Sequence, residues 1–572
     1  MSDVGAPAPP PIADPVFGND WWQRGVTYQV YPRSLQDTDG DGIGDLRGII
    51  DRLAHLQRLG VDAVWLSPIY PSPGLDIGYD VADHSAVDPL YGSMADFDDL
   101  VATAHGLGLR VVLDLVMNHT SDQHRWFQDS RRSRTGEHAD WYIWRDAAGT
   151  DRRGRPRPPN NWQSFFGGPA WTWEPAREQF YMHTFLAQQP ELDWRSAEVR
   201  DAQMAMIRGW LERGVDGFRL DVFNAFFKHA ELPDNPAIRD PRRWQGRGAY
   251  FRQDHLYDKE QPELHGWLRE FRAVVDEQPG RMTVGEQFSG TGVPGALPFV
   301  EPRHLVFDFR TIETAWSAPA WAESQRVQDE GYVGDKWPTL VLSNHDRSRQ
   351  VTRLRDGKGL GGLDQDALAK AAAVLLLASR GTPFLYYGEE IGLGDSVIPR
   401  RDIVDPPARQ SLIQRLWAPW WNRDQCRGPM PWTGGTGRGF TTGHPWLPFS
   451  PDSGTRNVAA QEGDPHSVLA TYRALLALRR ASPALQLGTS SQVSAGPDVY
   501  AWRREHEGQV LLCAVNFADR DASFALTAAG DARSWAVRYD SADPAMSAPA
   551  ATATLQLRPL EAIILEAVPD RT

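Results

Sequence analysis

The sequence predicts a (β/α)8 barrel with a subdomain inserted after its third strand and an all-β domain at its C-terminal end. Three observations predict it. Between residue 27 and about residue 480, eight short apolar runs alternate with amphipathic stretches. Most of these runs close on polar or charged residues. After about residue 485 the helical spacing gives way to closely spaced strand patterns. Near-continuous apolar runs suit strands covered on both faces of a parallel sheet, and eight strand–helix units close a barrel.

The candidate strands are TYQVYP from Thr27, DAVWLSP from Asp62, RVVLDLVMNH from Arg110 and GFRLDV from Gly217. They continue with MTVGEQ from Met282, HLVFDF from His304, TLVLSNHD from Thr339 and TPFLYYGEE from Thr382. The first connecting stretch, LRGIIDRLAHLQRLG, repeats apolar residues at helical spacing and stops on Gly60, a residue suited to a helix end. Three excursions interrupt the alternation, at 121–192, 225–280 and 391–464. The first is rich in Trp, Gly and Pro and too long for a plain connection, so a small subdomain is expected there. DVYAWRRE, QVLLCAVNFA, ASFALT and ATATLQLRPLEAIILEA then read as strands of a sandwich. The resulting division is a flexible, proline-rich tail at 1–19, a barrel at 20–120 and 193–485, the insertion at 121–192 and a C-terminal β-sandwich at 486–572.

Composition narrows the function. A net charge of -14 disfavours a nucleic-acid backbone as partner. No apolar run approaches the ~20 residues of a membrane helix, so no membrane association is expected. The N-terminus lacks a basic start and an apolar core, which leaves no secretory signal and points to the cytoplasm. The two cysteines, Cys426 and Cys513, form no disulfide framework. Nothing in the sequence specifies an oligomeric state.

The fourth strand poses the chemical question. In DGFRLDVF, Arg219 and Asp221 place two charges among apolar neighbours, and a buried charge without a partner costs several kcal/mol or more. Strand period two puts both on one face, so Arg219 can pair with Asp221 and keep it ionised. In a barrel the C-terminal strand ends floor the active site. The polar strand ends Asn118, His119, Asp221, Glu286, Asp308, His345, Asp346, Glu389 and Glu390 therefore converge on one mouth.

DLVMNHT (from Asp114), GFRLDV, VGEQF (from Val284) and LSNHD (from Leu342) resemble the four signature regions of the α-amylase superfamily, glycoside hydrolase family 13. QPELD (from Gln189) and CRGPMPW (from Cys426) resemble the QPDLN and RTPMQW stretches of its oligo-1,6-glucosidase branch. The resemblance implies a retaining α-glycosidase: Asp221 as nucleophile, Glu286 as general acid/base, Asp346 as the group that steadies the transition state, and Asp114 as a structural support. The chemistry asks for the same set, one carboxylate attacking the sugar and another protonating the leaving oxygen. The resemblance further implies that Asp80 binds a hydroxyl of the terminal glucose and pairs with Arg427 to close the pocket at one sugar, that Tyr79 stacks on the ring, and that His119 and His345 contact hydroxyls. Val222 falls where the family discriminates linkage, valine accompanying α-1,6 preference.

DTDGDGIGDLRG, from Asp37, begins like a calcium loop but has Gly48 where an EF-hand requires Glu. Four carboxylates in so short a stretch repel one another without a cation. The resemblance assigns a structural Ca2+ or Mg2+ to Asp37, Asp39, Asp41, the carbonyl of Ile43 and Asp45. The expected activity is exo-acting α-glucosidase on small oligosaccharides or α-glucosides. The alternatives are an α-glucosyltransferase on the same scaffold and a non-catalytic transporter partner, which would carry a membrane helix. RSRQVTRLRDGKG does not match the arginine-rich loop of the sucrose-isomerase branch.

Overall fold

A computed structural model describes residues 18–568 except 245, 247, 289–291, 302–303, 356–361, 410–421, 530–533, 544–548 and 551–553. The expected tail at 1–19 lies outside the described residues apart from its last two positions, and part of the 391–464 excursion does too.

All eight expected barrel strands form, the first at Thr27–Val30 and the last at Thr382–Tyr386. In chain order they are hydrogen-bonded as 7-8-1-2-3-4-5-6, every pair parallel. Between the sixth strand, His304–Phe307, and the seventh, Thr339–Val341, no strand ladder forms among the described residues. Side chains bridge that seam instead: Thr339 donates to the Val306 carbonyl at 3.1 Å and Thr311 to the Val341 carbonyl at 2.7 Å.

Each barrel strand is buried along its length, which is why its sequence does not alternate. The first barrel helix, Leu46–Leu59, buries Leu46, Ile49, Leu53, Leu56 and Leu59 at helical spacing. Asp45 caps its start by accepting from the Gly48 N–H, and Gly60, at φ 101°, ends it in the left-handed conformation. These are the residues the sequence pattern singled out.

Within 121–192 lies a small antiparallel sheet of Trp144–Arg145, Trp171–Glu174 and Gln179–Met182. Bridges from His119 to Glu191 and from Tyr142 to Leu192 tie it to the end of the third barrel strand. At the other end of the chain six antiparallel strands and a separate pair, Ala522–Ala525 with Thr554–Leu557, enclose their own apolar core. This domain docks on the helix Gln365–Ala378, ten of whose fourteen residues are buried. Among the described residues no helix is long and apolar enough to cross a membrane.

Candidate active site

His119, Asp221, Glu286, Asp308 and Asp346 meet around one cavity of roughly 400 Å3, within the range of small-molecule sites. Asn118, His345, Glu389 and Glu390 do not line it; Glu389 accepts from Ser343 and Glu390 from Tyr28. The cavity wall includes Asp221, Glu286 and Asp346 together with Asp76, Tyr79, His119, Val222 and Arg423. Seven phenylalanines complete much of the remainder: Phe165, Phe166, Phe185, Phe251, Phe288, Phe307 and Phe309.

Arg219 organises the floor from beneath. It is 1% exposed. Its Nη1 donates to Asp114 and to Asp221, each at 2.7 Å, and its Nη2 to Glu286. The faces of Trp65 and Tyr79 pack on the same guanidinium. The charges that looked costly in the strand are thus partners. Nη1 and Nη2 of the one guanidinium hold Asp221 and Glu286 side by side. A retaining pair stands close together, without the gap an inverting pair keeps for water, and sharing one guanidinium brings these two together.

One guanidinium cannot neutralise three carboxylates, and burial makes each charge dear. Burial pushes Glu286 up to about 8, Asp221 up to about 7 and Asp114 up to about 6, with Arg219 pulling each back and the other carboxylates pushing further. The group therefore titrates as a unit and retains a proton near neutrality, held most strongly by Glu286. Asp346 behaves oppositely. Burial opposes its charge, but His345 and then Arg423, Arg427 and Arg219 outweigh that and hold it far below the usual carboxylate range. The site thus contains one protonated acid beside one firmly ionised carboxylate.

The other expected residues fall into place unevenly. Tyr79 lines the cavity, its hydroxyl 3.1 Å from Asp114 and 2.6 Å from Nε2 of His345. His345 does not face the cavity as expected. It stacks on Tyr79 at 5.4 Å with an interplanar angle of 3° and accepts from Gln29, which makes it a support for the tyrosine. His119 lies on the wall, its Nε2 3.0 Å from the Tyr79 carbonyl. Val222 lines the cavity with φ at 37°, a left-handed conformation that costs a β-branched residue on the order of 1–3 kcal/mol. That turn aims its side chain beside the nucleophile, next to Phe166 and Phe185.

The expected Asp80–Arg427 pair does not exist. Asp80 has no exposed surface and is saturated by its own turn, accepting from Ser72, Leu75 N–H and Asp76 N–H at 2.8–3.0 Å. Arg427 instead reaches Asp346 at 3.0 Å and the His345 carbonyl at 2.8 Å. The residues that close the cavity lie one helical turn earlier in each motif. Asp76 binds Arg423 at 2.8 Å, and Arg423 also donates to Asp346 at 3.2 Å. The sequence signal was there, two acids in LDIGYD and two arginines in NRDQCR. What selects between them is the turn at 74–80, with Ile77 and Gly78 at positive φ, which folds Asp80 inward and displays Asp76.

In the first β–α loop, carboxylate oxygens of Asp37, Asp39 and Asp45 lie within 4.8 Å of one another. Asp41 does not join them; its Oδ1 accepts from the Ile43 N–H at 2.7 Å. Gly42, at φ 93°, brings this loop against the His444 carbonyl, where a Cβ would sit 1.8 Å from the oxygen.

Comparison with known proteins agrees with this geometry. The profile of the family described as "Alpha amylase, catalytic domain" matches residues 29–488. The chain is 43% identical over 523 residues to a probable α-glucosidase of Rhizobium meliloti (strain 1021), covering 88% of this chain and 90% of that one. It is 35% identical to an oligo-1,6-glucosidase of Parageobacillus thermoglucosidasius, covering 88% and 92%. Among solved structures it superimposes on the α-glucosyl transfer enzyme XgtA with a TM-score of 0.85 at 39% identity, covering 96% and 99%. A barrel with this order of strands, carrying these carboxylates on its fourth, fifth and seventh strand ends, belongs to the α-amylase family, glycoside hydrolase family 13.

Proposed function

We propose that the protein is a retaining, exo-acting α-glucosidase that releases glucose from the non-reducing end of short α-glucosides of the maltose or isomaltose type. The observation that carries this reading is that Arg219 holds Asp221 and Glu286 together in the wall of a cavity that the Asp76–Arg423 pair also lines. The terminal glucosyl ring lies against Tyr79, its hydroxyls reached by Asp76, Arg423, His119 and Asp346. Asp221 attacks C1 as the glycosidic bond breaks, and Glu286 gives its proton to the leaving oxygen. Glu286, now ionised, takes a proton from water, the hydroxide adds to C1, and the Asp221 carboxylate leaves. Two displacements return the α configuration.

Asp221→Asn removes the nucleophile while keeping its volume. Turnover of maltose should fall about 10⁴-fold or more with little change in thermal midpoint; retention of most activity would end the reading. Proton NMR of the first-released glucose should show the α anomer. A panel of maltose, isomaltose, kojibiose, nigerose, sucrose and trehalose settles linkage, on which Val222 bears with about 1–3 kcal/mol of discrimination.

Transfer to sugar or alcohol acceptors is a second activity of the same intermediate. The aromatic wall of Phe165, Phe251 and Phe288 beside Glu286 favours it, since apolar surface holds an acceptor better than it holds water. Product analysis at high maltose measures the transfer fraction. The two buried free thiols suit a reducing compartment, and we place the enzyme in the cytoplasm.

The oxygen donors of Asp37, Asp39 and Asp45 fit a hard cation, Ca2+ or Mg2+. Such an ion would neutralise the loop and fix the start of the first barrel helix, since Asp45 is also the cap of that helix. Chelation should lower the thermal midpoint and leave the rate at moderate temperature almost unchanged; a midpoint unmoved after prolonged dialysis against chelator would remove the ion from the account.

A further inference from the structure

The loop after the eighth barrel strand holds a carboxylate that the reaction as written does not use. Asp405 has no exposed surface. Its Oδ1 accepts from Nε of Arg423 at 2.8 Å and lies 2.8 Å from Nη2. Its Oδ2 accepts from the backbone N–H of the same Arg423, again at 2.8 Å. One carboxylate thus grips both the side chain and the main chain of a single residue. The clasp is returned: Asp424 Oδ2 accepts from the backbone N–H groups of Val404 at 2.8 Å and Asp405 at 3.1 Å.

What the clasp holds is the end of the pocket. With Nε and one edge of the fork fixed on Asp405, the outer donors of Arg423 can point only at Asp76 and Asp346. Those two acids alone would leave a long, flexible side chain free to roll about the line between them. A third contact, with Nε and Nη2 both on Oδ1 of Asp405, removes that freedom, because the guanidinium is planar and its donors form a rigid fork. A charge buried this completely is costly unless it is matched in such a way.

We propose that Asp405 is the positioning residue that locks Arg423 as the end wall of the glucosyl pocket. This carboxylate, remote from the bond that is cut, sets how tightly the terminal ring is held and how strictly one residue is removed from a chain end. The inference rests on the reading of the cavity as a glucosyl site.

Asp405→Ala and Asp405→Asn test it, each alone and in an Arg423→Ala background. Binding of glucose is followed by calorimetry, maltose hydrolysis by kcat and KM, the products of maltotetraose by chromatography and folding by thermal midpoint. Asp405→Ala should weaken glucose binding and raise KM about tenfold or more, the worth of a lost charge-assisted pair, with a smaller fall in kcat. Maltose should appear among the first products of maltotetraose, which the wild type should cut to glucose and maltotriose. Asp405→Asn, which keeps one acceptor for Nε–H, should lie between; it carries the test if the alanine variant does not fold. In the Arg423→Ala background neither substitution should add to the loss. A folded Asp405→Ala with a lowered midpoint but unchanged glucose affinity, KM and product pattern would overturn the proposal. So would an equal loss with Arg423 absent. Glucose binding reads Asp405 even in a chain that cleaves nothing, so a wild-type protein that binds glucose but cuts no α-glucoside would refute the reading of the site without touching the clasp.

Discussion

Arg219 and the pair Arg479 and Arg504 are about equally hidden, at 0–2% exposure, yet the protein matches their charges in opposite ways. Arg219 is met by three carboxylates. Arg479 and Arg504 meet no carboxylate at ion-pair distance among the described residues; they donate to carbonyls. Arg479 reaches those of Leu377, Leu485 and Gly381, and Arg504 those of Ala378 and Gly488, at 2.7–3.0 Å. Leu377 and Ala378 end the helix Gln365–Ala378, where carbonyls lack intrahelical partners and the helix dipole is negative. One arginine sets the protonation of its neighbours; the other two terminate a helix, and Arg504 joins the C-terminal domain to the barrel. Burial and its neighbours act accordingly. Burial opposes the charge of Arg219, yet the surrounding acids raise its pKa well above the ordinary value, while burial pulls Arg479 and Arg504 down.

Substitution should separate the two kinds most sharply. Arg219→Met leaves three acids around an apolar stem. It should abolish activity and lower stability by about 3–5 kcal/mol, the cost of breaking a buried pair, measured by urea unfolding and maltose assay. Near-normal activity would break the contrast.

The pH dependence comes next. The folded pKa of Glu286, near 8, stands above its unfolded value. Stability from this group is therefore complete at acid pH and declines as pH rises toward 8. Glu286→Gln should gain thermal midpoint relative to wild type at pH 9 by several degrees more than at pH 5. For the wild type, hydrolysis should fall as Glu286 deprotonates on the alkaline side. Arg504→Met should show no such slope between pH 5 and 9. Its expected effect is the smallest, about 1–3 kcal/mol for carbonyls left unpaired, with kcat and KM of maltose hydrolysis unmoved. A change in KM there would show that the domain junction reaches the active site.

The contrast also marks how far the sequence was legible. Eight strands, the all-β end and the carboxylates Asp221, Glu286 and Asp346 could be read because burial on both faces imposes apolar runs and because the motifs lie on those runs. The Arg219 partnership followed from strand period alone. The pocket's end wall could not be read. Asp76 and Asp80, like Arg423 and Arg427, are equivalent in composition, and only the turn that saturates Asp80 tells them apart. Asp41 lies outside the cluster of Asp37, Asp39 and Asp45, and the spacing of the four acids in the loop does not show which of them converge. Asp405 carried no signal, since its partner lies 18 residues away in the chain.

The unladdered seam between the sixth and seventh strands has a bearing on tolerance. Asp221 and Glu286 stand on strands hydrogen-bonded on both sides, whereas Phe307, Asp308, Phe309, Asn344 and Arg347 line the cavity from either edge of the gap. Asp346 itself follows the seventh strand, so one of the three carboxylates stands at the edge of the gap while the other two are held by ladders on both sides. A substitution that loosens the seam should therefore shift Asp346 before it shifts Asp221 or Glu286.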